Sequence, residues 1–242
     1  MKRVALCFSG QLRNVAKGFE YINKNLIGPN CWEYEFDTFV HTWFEQEHVG
    51  KALTTAKGVA TSSGEVGCSE IPNNILNSVY ELYDPKKMLL EKQINFDEKD
   101  YNIRKSSFII PRFTLSKMSS MQKVCKLKTS YESENDFTYD LVVSLRFDLG
   151  IQSEIILSGF ENNFVNVSTH GVSDNVGIDV SHGIMPSKMF DKYTQLIDCV
   201  DDYWRNMNVE FCDERLTHKH FDVKNIPYIR SNSLNNYILI RN

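Results

Sequence analysis

Apolar residues along the chain follow two periodicities. Val4 to Phe8 is an unbroken apolar run, and Leu141-Val142-Val143 is another inside Tyr139–Leu145. Runs this short read as buried strands. Asp37 to Trp43 reads as a further strand that runs out into polar residues. Between the first and second strands, Leu12, Val15, Ala16, Phe19, Ile22 and Leu26 recur at helical spacing. The chain therefore opens as strand, a Gly-containing turn at Ser9-Gly10-Gln11, helix, strand, the pattern of a parallel βαβ unit.

Gln46 to Ser69 changes character. It is rich in Gly, Ala, Thr and Ser, and a mobile loop over 46–69 is expected, a lid or an inserted segment. Ile75–Tyr83 reads as a short helix stopped by Asp84-Pro85, and Lys87–Ile94 as a short strand. Phe113–Glu134 is a longer amphipathic helix, and Asn163–Val167 a further strand. Pro186–Trp204 is helical, with Met189, Tyr193, Leu196, Ile197, Val200 and Trp204 on one face. Leu216–Phe221 continues as helix, and Tyr228–Arg230 and Tyr237–Arg241 read as closing strands. The expected architecture is one α/β domain over residues 1–242, with a mixed, mainly parallel sheet flanked by helices.

Composition narrows the class. The chain has 242 residues, 42% hydrophobic and 12% aromatic, enough for one sizeable core. A formal net charge of −4 argues against broad nonspecific nucleic-acid binding. The Val4–Phe8 run is too short for a signal peptide, and no run approaches the ~20 apolar residues of a membrane span. Six cysteines are widely spaced without a CxxC pair, which reads as reduced thiols rather than zinc ligands. These features predict a soluble, cytoplasmic protein. Asn166-Val167-Ser168 matches a glycosylation sequon, but without a secretion signal it reads as incidental.

The candidate chemistry lies at strand ends. Arg146 and Asp148 follow the 139–145 strand, where ligands bind in open α/β sheets. Asp148 can hold a divalent cation and Arg146 a phosphate or carboxylate, or the two can form a structural ion pair. SGQLR at 9–13 follows the first strand and opens a helix. It reads as a phosphate or nucleotide contact through Gly10 and Arg13, or as an ordinary βα turn. Asp174 and Asp179 precede a helix and are bases or caps, and Cys212-Asp213-Glu214 is a first-turn acidic cluster of the kind that serves a helix dipole. His41 reads as a satisfied, half-buried histidine. His218 and His220, two apart, fall on different helix faces. The chain has no GxSxG, no GxGxxG and no P-loop, which disfavours a serine hydrolase and a dinucleotide enzyme.

In order, ALCFSGQLRN at 5–14, DTFVHTW at 37–43, SSMQKVCKLKTSYE at 119–132, FTYDLVVSLRFDL at 137–149, Asp179 with the helix after it, and DERLTHKHF at 213–221 resemble a family of bacterial and viral glycosyltransferase-like proteins with a GT-A type fold. The SGQxR and YDxVxxxRxD segments are the most distinctive. The resemblance spans nearly the whole chain and implies sugar transfer from a nucleotide-sugar donor to an acceptor hydroxyl.

Under that resemblance Ser9, Gly10, Gln11, Arg13 and Arg146 contact the donor, and Asp148 holds Mn²⁺ or Mg²⁺ on its diphosphate. Arg146 stands where the family has an acid. Asp179 is the first candidate for a base, with Glu214 or Asp213 second. The implied acceptor is a glycan or polysaccharide, or a hydroxylated DNA base if the chain comes from a phage; if viral, the protein would act in the host cytoplasm. A DNA acceptor would call for a positive groove, to which Lys51, Lys57, Lys117, Lys123, Lys126 and Lys128 are the available contributors. Two other readings stay open: a non-catalytic nucleotide-sugar-binding protein with a degenerate metal site, and a nucleotidyltransferase on a related fold.

Overall fold

Strand β1 (Lys2–Gly10) has five consecutive buried residues, Val4 to Phe8, because both faces of the strand are covered. Val4, Leu6 and Phe8 belong to one apolar cluster, and Ala5 and Cys7 to another on the opposite face. The computed structural model describes residues 1–44, 52–54, 67–69, 74–98, 100–107, 109–169, 177–178 and 182–240.

After β1 the chain forms helix α1 (Val15–Ile22), a π-helical turn at Asn23–Ile27, and the short α2 (Gly28–Asn30). Strand β2 (Tyr34–Trp43) then pairs parallel with β1, from Lys2 opposite Tyr34 to Gly10 opposite Thr42. This is the βαβ unit that the periodicity predicts, although the helix begins at Val15 rather than at Leu12.

Most of 46–69 lies outside the described residues, but β3 (Ala52–Thr54) and β4 (Gly67–Ser69) pair antiparallel, so part of the expected loop is a small ladder. Helix α3 (Ile75–Tyr83) ends at Asp84, which is left-handed at φ 40° and stands just before Pro85. Strand β5 (Pro85–Glu91) pairs parallel with β2. Helix α4 (Pro111–Glu134) then crosses to the other face, and β6 (Leu141–Leu145) pairs parallel with β1 on the side away from β2.

The remaining elements are β7 (Leu149–Ile151), β8 (Val165–Val167), β9 (Gly183–Met185), α5 (Ser187–Tyr193), α6 (Leu196–Arg205), α7 (Asp213–Lys224), β10 (Tyr228–Arg230) and β11 (Tyr237–Leu239). The helix expected over Pro186–Trp204 is two helices, interrupted at Thr194-Gln195. The main sheet has seven strands in the order β10-β8-β9-β6-β1-β2-β5, and β9 alone runs against its neighbours. The expected last strand is outside this sheet: β11 pairs antiparallel with β7 in a separate ladder. The result is a mixed α/β domain with a mainly parallel sheet flanked by helices.

Two crossovers position the site. The β1-to-β2 connection runs through α1, whose Val15 and Ile22 pack with Val4, Leu6 and Phe8. The β5-to-β6 connection runs through α4, whose Leu115, Met118, Met121 and Val124 pack with Ala5 and Cys7 on the opposite face. The first crossover places β2 on one side of β1 and the second brings β6 to the other side, so the strand order switches at β1, and a crevice lies at the C-terminal ends of β1 and β6.

Candidate active site

A cavity of about 660 Å³ lies over the C-terminal ends of β6, β1, β2 and β5. Ser9, Gly10, Gln11 and Arg13 line it from the turn after β1, and Ser144, Arg146 and Asp148 from the end of β6. Trp43 ends β2, Gln93 to Phe96 follow β5, and Arg112, Phe113 and Lys117 come from the start of α4. Asp213 joins them from the first turn of α7. Every donor-contact and metal residue that the sequence singled out therefore borders one cavity. Of the base candidates, Asp179 lies outside the described residues, as does Asp174. Glu214 is not among the lining residues, whereas its neighbour Asp213 is.

The turn after β1 is held by a buried relay. Gly10 has φ 113°, a backbone conformation that only glycine adopts without strain. Its N–H donates to Ser120 Oγ at 2.9 Å, and Ser120 Oγ lies 2.7 Å from His41 Nδ1. His41 Nε2 is 2.9 Å from Glu91 Oε2. A carboxylate only accepts, so Nε2 carries the proton, and in a neutral ring Nδ1 accepts from Ser120. Burial does keep the ring neutral: it lowers the His41 pKa to about 4, against the opposing pull of Glu91. His41 is thus fully buried rather than half-buried. Because the Gly10 N–H already serves Ser120 and α1 starts only at Val15, the cationic group this turn offers the cavity is the Arg13 side chain.

The Arg146-Phe147-Asp148 loop is anchored by its middle residue. Phe147 is buried and stacks on Phe8, with centroids 5.1 Å apart, and meets Tyr83 edge-on. Gly18 of α1 makes this possible, since a Cβ there would sit 1.9 Å from the Phe147 carbonyl oxygen. The Asp148 carbonyl accepts from the Ile240 N–H at 2.8 Å, and Asn14 Nδ2 donates to the Ile240 carbonyl at 2.9 Å. The C-terminal segment thereby ties the loop after β6 to the loop after β1.

The two charged side chains of the loop meet as a fork. Arg146 Nε and Nη2 donate to Asp148 Oδ1 and Oδ2 at 2.8 and 2.9 Å. Burial lowers the Arg146 pKa, but the Asp148 charge and these bonds raise it by more. A divalent cation at Asp148 would have to compete with the guanidinium for both oxygens. The other lining carboxylates also carry cations, Asp213 with Lys117 at 2.9 Å and Glu98 with Arg112 at 3.3 Å. Among the described residues, the one group of three donors close enough to share an ion is Cys212, Asp213 and Glu214, without Asp148. The arrangement around Asp148 does not fit a carboxylate cradle for Mn²⁺ or Mg²⁺.

Asp213 and Glu214 are pushed apart in acidity. Burial raises the Asp213 pKa, but Lys117 and the hydrogen bond with Glu214 outweigh it and hold the group below its ordinary value. Burial, then the Asp213 charge, pushes Glu214 up to about 7. The Cys212 thiol donates to Glu214 Oε2 and is itself raised by burial and by that carboxylate.

Some sequence candidates lie elsewhere. Lys128 cannot line a basic groove: it is fully buried, bonded to Glu132 Oε2 at 2.9 Å and Asp191 Oδ1 at 2.7 Å. Lys123 is paired with Glu91. His220 is buried between the Tyr203 hydroxyl and the Lys192 carbonyl, while His218 faces Asp222. Asn166 is buried in β8 and donates to the Ile184 carbonyl at 3.2 Å, so the sequon is structural. Cys7, Cys31, Cys125, Cys199 and Cys212 are free thiols, and no described helix is long and apolar enough to cross a membrane. Sequence reasoning missed Ser120, the aromatic lining residues Trp43, Phe96 and Phe113, and Lys117 as a partner of Asp213. A polar residue interrupting the apolar face of α4 was the available signal for Ser120.

No protein-family model matches the chain, and no curated protein matches it. Among solved structures it is similar to the crystal structure of the glycosyltransferase GlyE from Streptococcus pneumoniae, at 12% identity and a TM-score of 0.44, covering 95% of this chain and 46% of that one. The apo form of the same glycosyltransferase gives 12% identity and a TM-score of 0.44, with 95% of this chain and 45% of that chain covered. This chain spans less than half the length of either structure, and a likeness at this level assigns no activity.

Proposed function

We propose that the chain is a glycosyltransferase moving a sugar from a nucleoside-diphosphate donor to an acceptor hydroxyl. The observation that carries this reading is the single cavity at the β1/β6 switch point, which gathers SGQLR, the Arg146–Asp148 loop and Asp213. Breaking a sugar–phosphate bond leaves charge on the departing diphosphate, and fixed cations aimed at that charge lower the barrier. Arg13, Arg146 and Lys117 are available for this. Trp43, Phe96 and Phe113 contribute apolar ring surface to the lining against which a base can pack, and the cavity falls within the ~300–1,000 Å³ range typical of small-ligand sites.

An inverting transfer needs a carboxylate to take the proton of the acceptor hydroxyl. Asp213, which faces the cavity, is the base in this reading, and Asp179 is its competitor. The pairing of Lys123 with Glu91 and the burial of Lys128 favour a glycan or polysaccharide acceptor over DNA.

The Arg146–Asp148 fork also favours a second reading, a protein that binds nucleotide sugars without transferring them. A panel of nucleotide sugars, with candidate acceptors and with or without Mn²⁺, separates the two. Release of nucleoside diphosphate supports the transferase, and binding without release supports the second reading. Release of pyrophosphate when a nucleoside triphosphate and a sugar 1-phosphate are supplied instead identifies a nucleotidyltransferase. Absence of binding by every donor removes both leading readings.

A further inference from the structure

We infer that the cavity grips a diphosphate through Arg146, Arg13 and Lys117 and needs no divalent cation to do so. The inference rests on reading the cavity as a nucleoside-diphosphate site. Its starting point is Asp148, which is 2% exposed and has both carboxylate oxygens on Arg146. In this geometry the acid orients the guanidinium. A cation bound there would break two charge-assisted hydrogen bonds and leave Arg146 beside a doubly charged ion.

Arg146 is not exhausted by the fork. Its side chain is 31% exposed and lines the cavity, and a guanidinium keeps further N–H donors on Nη1 and Nη2 once Nε and one Nη2 hydrogen are engaged. Planar, rigid donors of this kind match phosphate oxygens. The Asp213 charge is felt at Arg146, which brings the Lys117–Asp213 pair into the same neighbourhood. Arg13 reaches the cavity from the end of the neighbouring strand β1, where Gln11 Oε1 accepts from its Nη2. Among the described lining residues, four basic side chains face three acidic ones.

The test is calorimetric titration of the whole chain with inorganic pyrophosphate and with UDP, GDP, CDP and ADP, in EDTA and in Mn²⁺. Pyrophosphate and at least one nucleoside diphosphate are expected to bind in EDTA within about threefold of their affinity in Mn²⁺. Arg146→Gln is expected to weaken pyrophosphate at least tenfold, with Arg146→Lys recovering only part of the loss. The wild-type comparison needs no variant, so a misfolded Arg146→Gln leaves it intact. Circular dichroism and the double variant Arg146→Gln/Asp148→Asn, which leaves no lone buried carboxylate, check the fold.

Binding of either probe only in Mn²⁺, abolished by Asp148→Asn, overturns the inference and leaves the transferase reading standing. Pyrophosphate binding in EDTA without binding of any nucleoside diphosphate supports the clamp and overturns the transferase reading. No binding of any probe in either condition overturns both.

Discussion

Ser120 Oγ accepts the backbone N–H of Gly10 at 2.9 Å, and through that bond a helix on one face of the sheet fixes the turn that follows the central strand. Ser120 is fully buried, and behind it stand His41, Glu91 and Lys123 in one hydrogen-bonded series that passes through the end of the edge strand β5 at Glu91 and returns to α4 at Lys123. The Ser9–Arg13 turn is therefore set by residues distant in sequence. Replacing Ser120 by Ala leaves the buried His41 Nδ1 and the part-buried Gly10 N–H without their partner. A loss of about 1–3 kcal/mol is expected in urea unfolding, where an unsatisfied buried group costs that much. Donor KM should rise more than kcat falls, because the turn is displaced and no reacting group is removed.

The neutral state of His41 makes the protein acid-sensitive. The folded pKa lies near 4, below the ordinary histidine value of 6.5, so between those values the unfolded chain binds more protons. Stability is unaffected above pH 6.5 and declines as pH falls toward 4, by up to about 3 kcal/mol. His41→Gln should flatten this part of the pH–stability curve relative to wild type. Parallel curves for the two proteins between pH 6.5 and 4.5 would mean that His41 is not held neutral.

Gly18→Ala should damage the site without touching it. The added methyl would fall 1.9 Å from the Phe147 carbonyl oxygen, a backbone atom that cannot rotate away. Overpacking of this kind costs typically 1–3 kcal/mol, about the scale expected here, and nucleotide affinity should drop as the Arg146–Asp148 loop shifts. Gly159→Ala, where nothing lies within 4 Å of the new methyl, is the control and should leave affinity unchanged.

Lys128→Met tests the buried ion cluster behind α4. Glu132 is 7% exposed and would lose its cation, along with Asp191. Removing one partner of a buried pair costs about 3–5 kcal/mol, which should appear as a large drop in the denaturation midpoint. A drop below about 1 kcal/mol would show that water reaches the cluster.

Asp213→Asn should retain donor binding and lower turnover by orders of magnitude, whereas Asp179→Asn should have that effect if Asp179 is the base instead. Glu214→Gln separates position from charge. Glu214 titrates near 7 beside Asp213, so the wild-type rate should show an inflection there, and the Gln variant should lose it. An unchanged inflection in Glu214→Gln would assign it to another group.

The sequence alone determined which segments could be buried on two faces and which on one. Val4–Phe8 and Leu141–Val143 are unbroken apolar runs because central parallel strands have no solvent face, and this pattern is local enough to read directly. The sequence also marked Ser9–Arg13 and Arg146–Asp148 as polar ends of such strands, which is why both border the cavity. It could not resolve β7 and β9, three residues each, or the break between α5 and α6, because periodicity over so few positions is ambiguous. Only the tertiary structure decided the charges. Whether Asp148 faces a metal or a guanidinium, whether Lys128 is groove or core, and whether Asp213 or Glu214 meets the cavity depend on which side chains the crossovers through α1 and α4 bring together. Electrostatic partners are chosen by distance in space, and Asp213 with Lys117 or Ser120 with Gly10 are pairs that chain order does not reveal.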